Sequence, residues 1–315
     1  MREVLPRYTR LSFVVFLLVG LFSPGAHGQK DTGSIVGTVR DASGASVPGA
    51  KVTVRDVERG TTFVTTSNDV GEYFAGPLKI GRYTISVEKD GFKTAVAGPA
   101  ELKVQSRLVV NVTVEVGAAT ERLTVSATAV QLETETSDLG QVVDSRRVST
   151  LPLNGRNYAQ LALLGAGVAP SEPGSRVSAS YGFSANGARA LQNNFLLDGT
   201  DNNANLGDVL NETAFVIQPS VDAIAEFKVQ TNSYSAEFGR GNGAIMNAVI
   251  KSGTNDFHGD LYEFLRNQVV DAANSTLKQQ GFGREPYKQN QFGVTFGGPL
   301  IKNRTFFFAD YEGLR

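Results

Sequence analysis

Hydrophobic and polar positions alternate with a period of two in the segments that flank the middle of the chain, and the first stretch departs from that rule. Leu11–Phe22 (LSFVVFLLVGLF) is an unbroken apolar run. From Ser34 the pattern changes to short alternating segments: Ser34–Arg40, Ala50–Asp56, Gly60–Thr66, Glu72–Phe74, Arg82–Glu88 and Leu108–Val116. Val52 and Val54 fall on one face, as do Tyr83, Ile85 and Val87. Asp41-Ala42-Ser43-Gly44, Asn68-Asp69-Val70-Gly71 and Asp90-Gly91 supply the turns between them. Strands of this spacing with half-buried alternation predict a β-sandwich over 31–117. The alternation puts Tyr83 and Phe74 in its core.

The middle of the chain mixes periods. Gln141–Thr150 and Asn157–Leu164 read as short helices on either side of Leu151-Pro152-Leu153-Asn154-Gly155-Arg156, where Pro152 and Gly155 prevent one continuous helix. Asn194–Asp198 reads as a short buried strand. Ala223–Gln230 and Ile245–Lys251 read as two more, joined through a Gly-rich turn. The last part returns to strict alternation with aromatic enrichment in Gly259–Asn267, Gln291–Gly297 and Thr305–Tyr311. There Phe292, Val294 and Phe296 point one way, and Gln291, Gly293 and Thr295 the other. Apolar-out, polar-in strands of this kind predict a transmembrane β-barrel wall. The expected fold class is mainly β: a sandwich, an α+β region at 129–255, and the first strands of an incomplete barrel at 256–315.

The opening run is too short for a comfortable membrane helix, which needs about 20 residues. It follows Arg2, Arg7 and Arg10, ends at Ser23-Pro24-Gly25, and leads to Ala26-His27-Gly28. This is the layout of a secretory signal peptide over 1–28, cleaved after Gly28. Losing it removes three Arg and one Glu, which leaves the remainder slightly acidic and gives no basic footprint for nucleic acid.

Composition narrows the chemistry further. The chain has no Cys and only two His, His27 and His258. A disulfide scaffold is excluded, and a His-based triad or multi-His metal site has almost no material. Asp198-Gly199-Thr200-Asp201-Asn202-Asn203 invites a calcium reading. It lacks the Gly and the bidentate Glu of a helix–loop–helix calcium site, so a turn rich in Asx residues is the better account. The Gly-rich turn before Ile245 lacks the Gly-Lys-Ser/Thr of a phosphate loop. No metal, cofactor or catalytic constellation is expected.

Two resemblances tie these segments together. Gly37-Thr38-Val39, Asp41, Gly44, Val47-Pro48-Gly49-Ala50, Gly71-Glu72-Tyr73-Phe74, Gly81-Arg82-Tyr83 and Gly91-Phe92 resemble the carboxypeptidase regulatory-like domain. That family shares its architecture with starch-binding modules, and the resemblance makes Tyr73 and Phe92 candidates for stacking on sugar rings. Ile224, Glu226, Val229, Ser235-Ala236, Phe238-Gly239, Gly243-Ala244, Asn247, Val249-Ile250, Lys251 and Thr254 resemble the end of the plug domain of TonB-dependent receptors. The strings LPLNGR and FLLDGTDNN are similar to the Oar-like branch, in which a regulatory-like module precedes the plug.

The resemblance implies an outer-membrane location in contact with lipid, a periplasmic N-terminal module, and energy coupling to TonB. Glu121, Leu123, Thr124, Val125, Ser126 and Ala127, within the linker 118–128, resemble the TonB box that adds as a strand to TonB. The substrate is left open, with a glycan or an oligomeric compound as candidates. Barrels of this type use about 22 strands, so the chain is expected to be a fragment that does not transport by itself. The competing class is a secreted carbohydrate-binding or adhesive β-sandwich protein. It accounts for the first segment but leaves the plug string and the aromatic strands unexplained.

Overall fold

The computed structural model describes residues 31–117, 122–125, 139–151, 153–171, 182–204, 215–270, 272, 275–281, 283–284 and 286–315. The signal segment and its cleavage at Gly28 lie outside the described residues. The structure is mainly β, in three successive parts.

The first part is a two-sheet sandwich. One sheet pairs β1 (Thr32–Asp41) with β4 (Glu72–Lys79) on one side and with β7 (Arg107–Val109) and β8 (Val112–Val114) on the other. The second sheet runs β3 (Thr62–Thr66), β2 (Lys51–Asp56), β5 (Gly81–Glu88), β6 (Thr94–Leu102), β9 (Arg122–Val125). Ile35, Val39, Val52, Val54, Tyr73, Ile85 and Val112 fill the space between them. Gly37 cannot be replaced there. A Cβ on it would lie 1.9 Å from the Val110 carbonyl oxygen and 3.0 Å from the Tyr73 ring.

One expectation is corrected here. Phe74 is not core: its ring is 52% exposed. Its neighbour Tyr73 is only 4% exposed and donates to the Val110 carbonyl at 2.7 Å. The pairing Gly37↔Tyr73 and Val36↔Phe74 sets this inversion, since β1 presents Ile35 and Val39 to the core and Tyr73 fills the room above Gly37. Tyr83 is core as expected, with its hydroxyl donating to the Lys79 carbonyl at 2.7 Å. The sandwich also contains β6, which the alternation did not reveal.

The second part is a five-stranded sheet in the order β10 (Leu139–Asp144), β15 (Ile224–Asn232), β16 (Ile245–Ile250), β13 (Asn194–Leu197), β14 (Thr200–Asp201). A separate pair, β11 (Val168–Pro170) and β12 (Phe183–Ala185), lies beside it. Helical turns pack Val148, Tyr158, Ala159 and Leu161 onto Phe227, Val229, Met246 and Ala248. Tyr158, Phe195, Phe215 and Phe227 form a chain of ring contacts with centroids 5.4–6.1 Å apart.

The expected helix at Gln141–Thr150 is half strand. Gln141–Asp144 pair with β15, as suits β-branched Val142 and Val143. Only α1 (Ser145–Thr150) is helical, capped by the Asp144 carboxylate, which accepts from Arg147 N at 2.9 Å. Asn157–Leu164 forms a 3-10 turn rather than an α-helix.

The third part is an antiparallel meander of β17 (His258–Asn267), β18 (Lys288–Ile301) and β19 (Thr305–Leu314). Its alternation is as expected. Gln291, Gly293, Thr295 and Gly297 are buried, whereas Val294 and Phe296 are exposed. Leu261, Leu265 and Tyr311 share the outward face and are also exposed. Phe257, Phe296 and Phe307 cluster at one end with centroids 5.6–6.5 Å apart, in the manner of the aromatic girdle at a membrane surface. The turn at that end spans only Lys302–Arg304, while the connection at the other end runs from 268 to 287 and includes α2 (Ser275–Gln279).

Candidate functional site

The second and third parts meet through polar side chains centred on Arg156. The sequence positions it by a tight turn: Asn154–Arg156 is a 3-10 turn in which Gly155 has φ 63° and Arg156 φ 50°. A side chain at 155 would strain this left-handed conformation. The turn carries the Arg156 guanidinium to Asp222, with which it forms an ion pair. Its plane also lies 4.7 Å from the ring centre of Tyr262 and 4.3 Å from that of Phe264, both on β17. Its Nε is 4.0 Å from the Glu312 carboxylate on β19.

Other groups extend this seat. Tyr262 donates its hydroxyl to Glu312 at 2.8 Å. Ser220 donates to Asp310 at 2.9 Å and, through the same oxygen, accepts from Ala223 N at 3.1 Å. That second bond caps the 3-10 turn Val221–Ala223 and aims Asp222 at Arg156. Lys251, just after β16, is 3.9 Å from Asp260 on β17. The strand meander thus offers an acidic inner wall, and the central sheet meets it with Arg156 and Lys251. Burial raises the Asp222 carboxyl above its ordinary value, and the Arg156 charge opposes that rise. Arg156 was not singled out in the sequence. Its role depends on residues 66 to 156 positions away, and the one local signal is a lone Arg after a turn-forming Asn-Gly.

The coupling candidates Glu121, Leu123, Thr124, Val125, Ser126 and Ala127 are described only from 122 to 125. These residues form β9, which lies parallel on the edge of β6 in the register Thr94↔Arg122, Ala95↔Leu123, Val96↔Thr124, Ala97↔Val125. The segment is extended, as expected, but it is already paired with the sandwich.

The sugar-stacking candidates do not converge. Tyr73 is buried and bonded within the core, so its ring is closed to a ligand. Phe92 is half-buried and packs on the same core. The Asp/Asn cluster serves turns. Asp198 accepts from Ile250 N at 2.9 Å, and Asp201 accepts from Asn203 N at 2.8 Å. Among the described residues no group of three or more His, Cys, Asp or Glu side chains is placed to hold a metal ion.

Comparison with known proteins finds likenesses for these parts. Residues 34–115 match the carboxypeptidase regulatory-like domain, and residues 249–315 match an outer membrane beta barrel domain. The two matches lie on either side of the central sheet region. One relative is the TonB-dependent transporter Oar of Myxococcus xanthus. It is 27% identical over 98% of this chain, and the likeness covers 29% of that protein's length. The chain is thus similar to Oar and spans less than a third of that curated relative.

Among solved structures, the outer membrane transporter YddB from Escherichia coli has 19% identity and a TM-score of 0.41, covering 52% of this chain and 24% of that one. The siderophore receptor PirA from Acinetobacter baumannii has 19% identity and a TM-score of 0.41, covering 55% and 24%.

Proposed function

We propose that these residues work as the N-terminal part of a TonB-dependent outer-membrane transporter. The central sheet region, 129–255, is the plug, and it sits inside the barrel lumen against the inner face of β17 to β19. The sandwich, 31–117, lies in the periplasm, and residues 121–127 are the coupling segment that pairs with TonB. No covalent chemistry is involved, and the export signal at 1–28 is removed after Gly28. The substrate is not specified by these residues. Transport needs a closed wall, of which β17 to β19 supply a part.

The observation that carries this reading is the two-faced meander. Its outward side chains are Leu261, Leu265, Val294, Phe296 and Tyr311, all exposed. Its inward side chains are bonded or ion-paired to Arg156, Ser220 and Lys251 of the central sheet region. Lipid on one side and a polar plug on the other satisfy both faces. The short Lys302–Arg304 turn supports the topology, because barrel turns are short on the periplasmic side and long outside. Asn255 ties the sandwich to that short-turn end: its N–H donates to the Glu58 carbonyl at 3.1 Å, and its side chain donates to Asn303 at 2.9 Å.

Because the chain lacks Cys, single cysteines test this topology in cells producing the complete transporter. Lys278→Cys, in the long connection, should react with a membrane-impermeant maleimide on intact cells. Val64→Cys, exposed on the sandwich, should react only after the outer membrane is opened. The reverse labelling would refute the orientation.

A further inference from the structure

Strand β15 has one face that its surroundings do not explain. Phe227 and Val229 point into the plug core. Glu226, Lys228 and Gln230 alternate with them on the opposite face, where a one-sided sheet meets water. Yet these three are 6%, 1% and 1% exposed. Asn247, in register with Lys228 on β16, is fully buried as well.

Asn247 is met within the central region, where it accepts from Gly199 N at 3.0 Å; over Glu226 and Lys228 the cover is the sandwich. The loop Lys103–Ser106, between β6 and β7, lies over this face. Val104 is fully buried but lies in neither apolar cluster, and its N–H donates to the Glu226 carboxylate. The Lys228 ammonium donates to the Gln105 carbonyl at 3.4 Å. Gln105 holds a φ of 51°, and both polar atoms of its side chain are buried without a hydrogen-bond partner. A second point of contact joins Arg59 Nε to Ser252 Oγ at 3.3 Å. The interface is therefore polar and incompletely satisfied, unlike either core. Permanent contacts of that composition are disfavoured, because each unpaired buried polar group costs desolvation energy. Interfaces between domains of one chain are by default able to open.

The wiring around the loop shows what could open it. Strand β6 carries β9 on its first half and runs straight into the covering loop at Leu102. A load on 122–125 is thus passed through β6 to the contact over Glu226 and Lys228. We propose that the sandwich is a detachable cap on the charged face of the plug sheet, and that tension on the coupling strand lifts the cap before it reaches the plug. This deepens the function proposed above and rests on it for the source of the tension. The cap itself is independent of that reading.

Cysteine accessibility separates the two. In the full chain in detergent, Gln230→Cys should react slowly with maleimide. Adding Val104→Asp, which places a second carboxylate against Glu226, should raise the rate roughly tenfold or more, as expected when a closed state becomes mostly open. A thiol at Val229→Cys, in the plug core, should stay slow in both backgrounds and so report that the plug is still folded. Gln230→Cys reacting fast in the parent chain, or equally slowly beside Val104→Asp, overturns the cap. The second arm uses the complete transporter in cells, with Gln105→Cys and Lys228→Cys joined by a cleavable bismaleimide. Uptake should stop while surface binding of substrate continues, and cleavage should restore uptake. Uptake that persists in the joined protein, and still requires TonB, overturns the cap and leaves the proposed function standing. Uptake that never required TonB refutes the proposed function instead.

Discussion

Arg156 and Asp222 form an ion pair whose side chains are only 13% and 16% exposed, at the point where the central sheet region meets the strand meander. Arg156 faces two aromatic rings on its other side. The guanidinium is the shared element: it neutralises a carboxylate of the central sheet region and lies over two rings of the strand meander. Removing it leaves Asp222 with little solvent and no partner. Arg156→Ala should therefore weaken the contact between the central sheet region and the strand meander by about 3 kcal/mol, the range for breaking a buried pair from one side. Arg156→Lys should recover only part of this, since an ammonium cannot bridge the carboxylate and stack on a ring at once. Urea titration of the detergent-solubilised chain reads both effects, and equal midpoints for all three proteins would remove Arg156 from this role.

The sandwich makes a second prediction from adjacent residues. Tyr73→Phe removes the hydroxyl that satisfies the Val110 carbonyl, at a cost of about 1–2 kcal/mol. Tyr83→Ala removes a core ring and should cost roughly 3 kcal/mol or more. Phe74→Ala, on the exposed face, should stay within about 0.5 kcal/mol of the parent. Thermal or urea unfolding of residues 31–125 gives the ranking. A Phe74 variant as unstable as the Tyr83 variant would return that ring to the core.

Glu226 gives a pH prediction. Burial lifts its carboxyl to about 7, opposed by the hydrogen bond from Val104 N–H, with Glu101 and Asp144 adding to the rise and Lys103 to the opposition. Lys228, its neighbour on the same face, is held by the Gln105 carbonyl. With the cap off, Glu226 returns toward its ordinary value of 4.5. The docked state therefore prefers the protonated acid. Its contribution to docking is complete below the ordinary carboxyl range, and it is lost as pH rises through about 7. Labelling of Gln230→Cys, corrected for the maleimide's own pH dependence, should accelerate over that window. Glu226→Gln should flatten the profile, and an unchanged slope in that variant would assign the titration elsewhere.

Much of this architecture was legible because barrel and sandwich strands obey one rule of alternation. The face of Gln291 to Phe296 follows directly from residue order, with Gln291 and Thr295 buried and Val294 and Phe296 exposed. The rule failed where small residues or long-range pairing decide. Strand β6 reads TAVAGPAEL, with Ala, Gly and Pro hiding its alternation. Tyr73 and Phe74 are both aromatic, so only the register against Gly37 tells which goes inward. Gln141–Asp144 became strand because β15 was available to pair with it. The seat was the least legible. Arg156, Asp222, Tyr262 and Glu312 are scattered over the sequence, and nothing local distinguishes them from surface polar residues. The candidate coupling segment was proposed from position and composition, but the pairing of 122–125 with β6 could not be read from either.

The central claim is that residues 121–127 couple these domains to TonB. Strand addition needs backbone N–H groups in extended geometry. Proline removes one donor and restricts the residue before it. The direct measurement is substrate uptake, alongside substrate binding at the cell surface, in cells producing the complete transporter with Val125→Pro or Thr124→Ser. The account predicts that Val125→Pro abolishes uptake while export and surface binding persist, and that Thr124→Ser changes neither. Normal uptake by the proline variant would contradict it and move the coupling site out of 121–127.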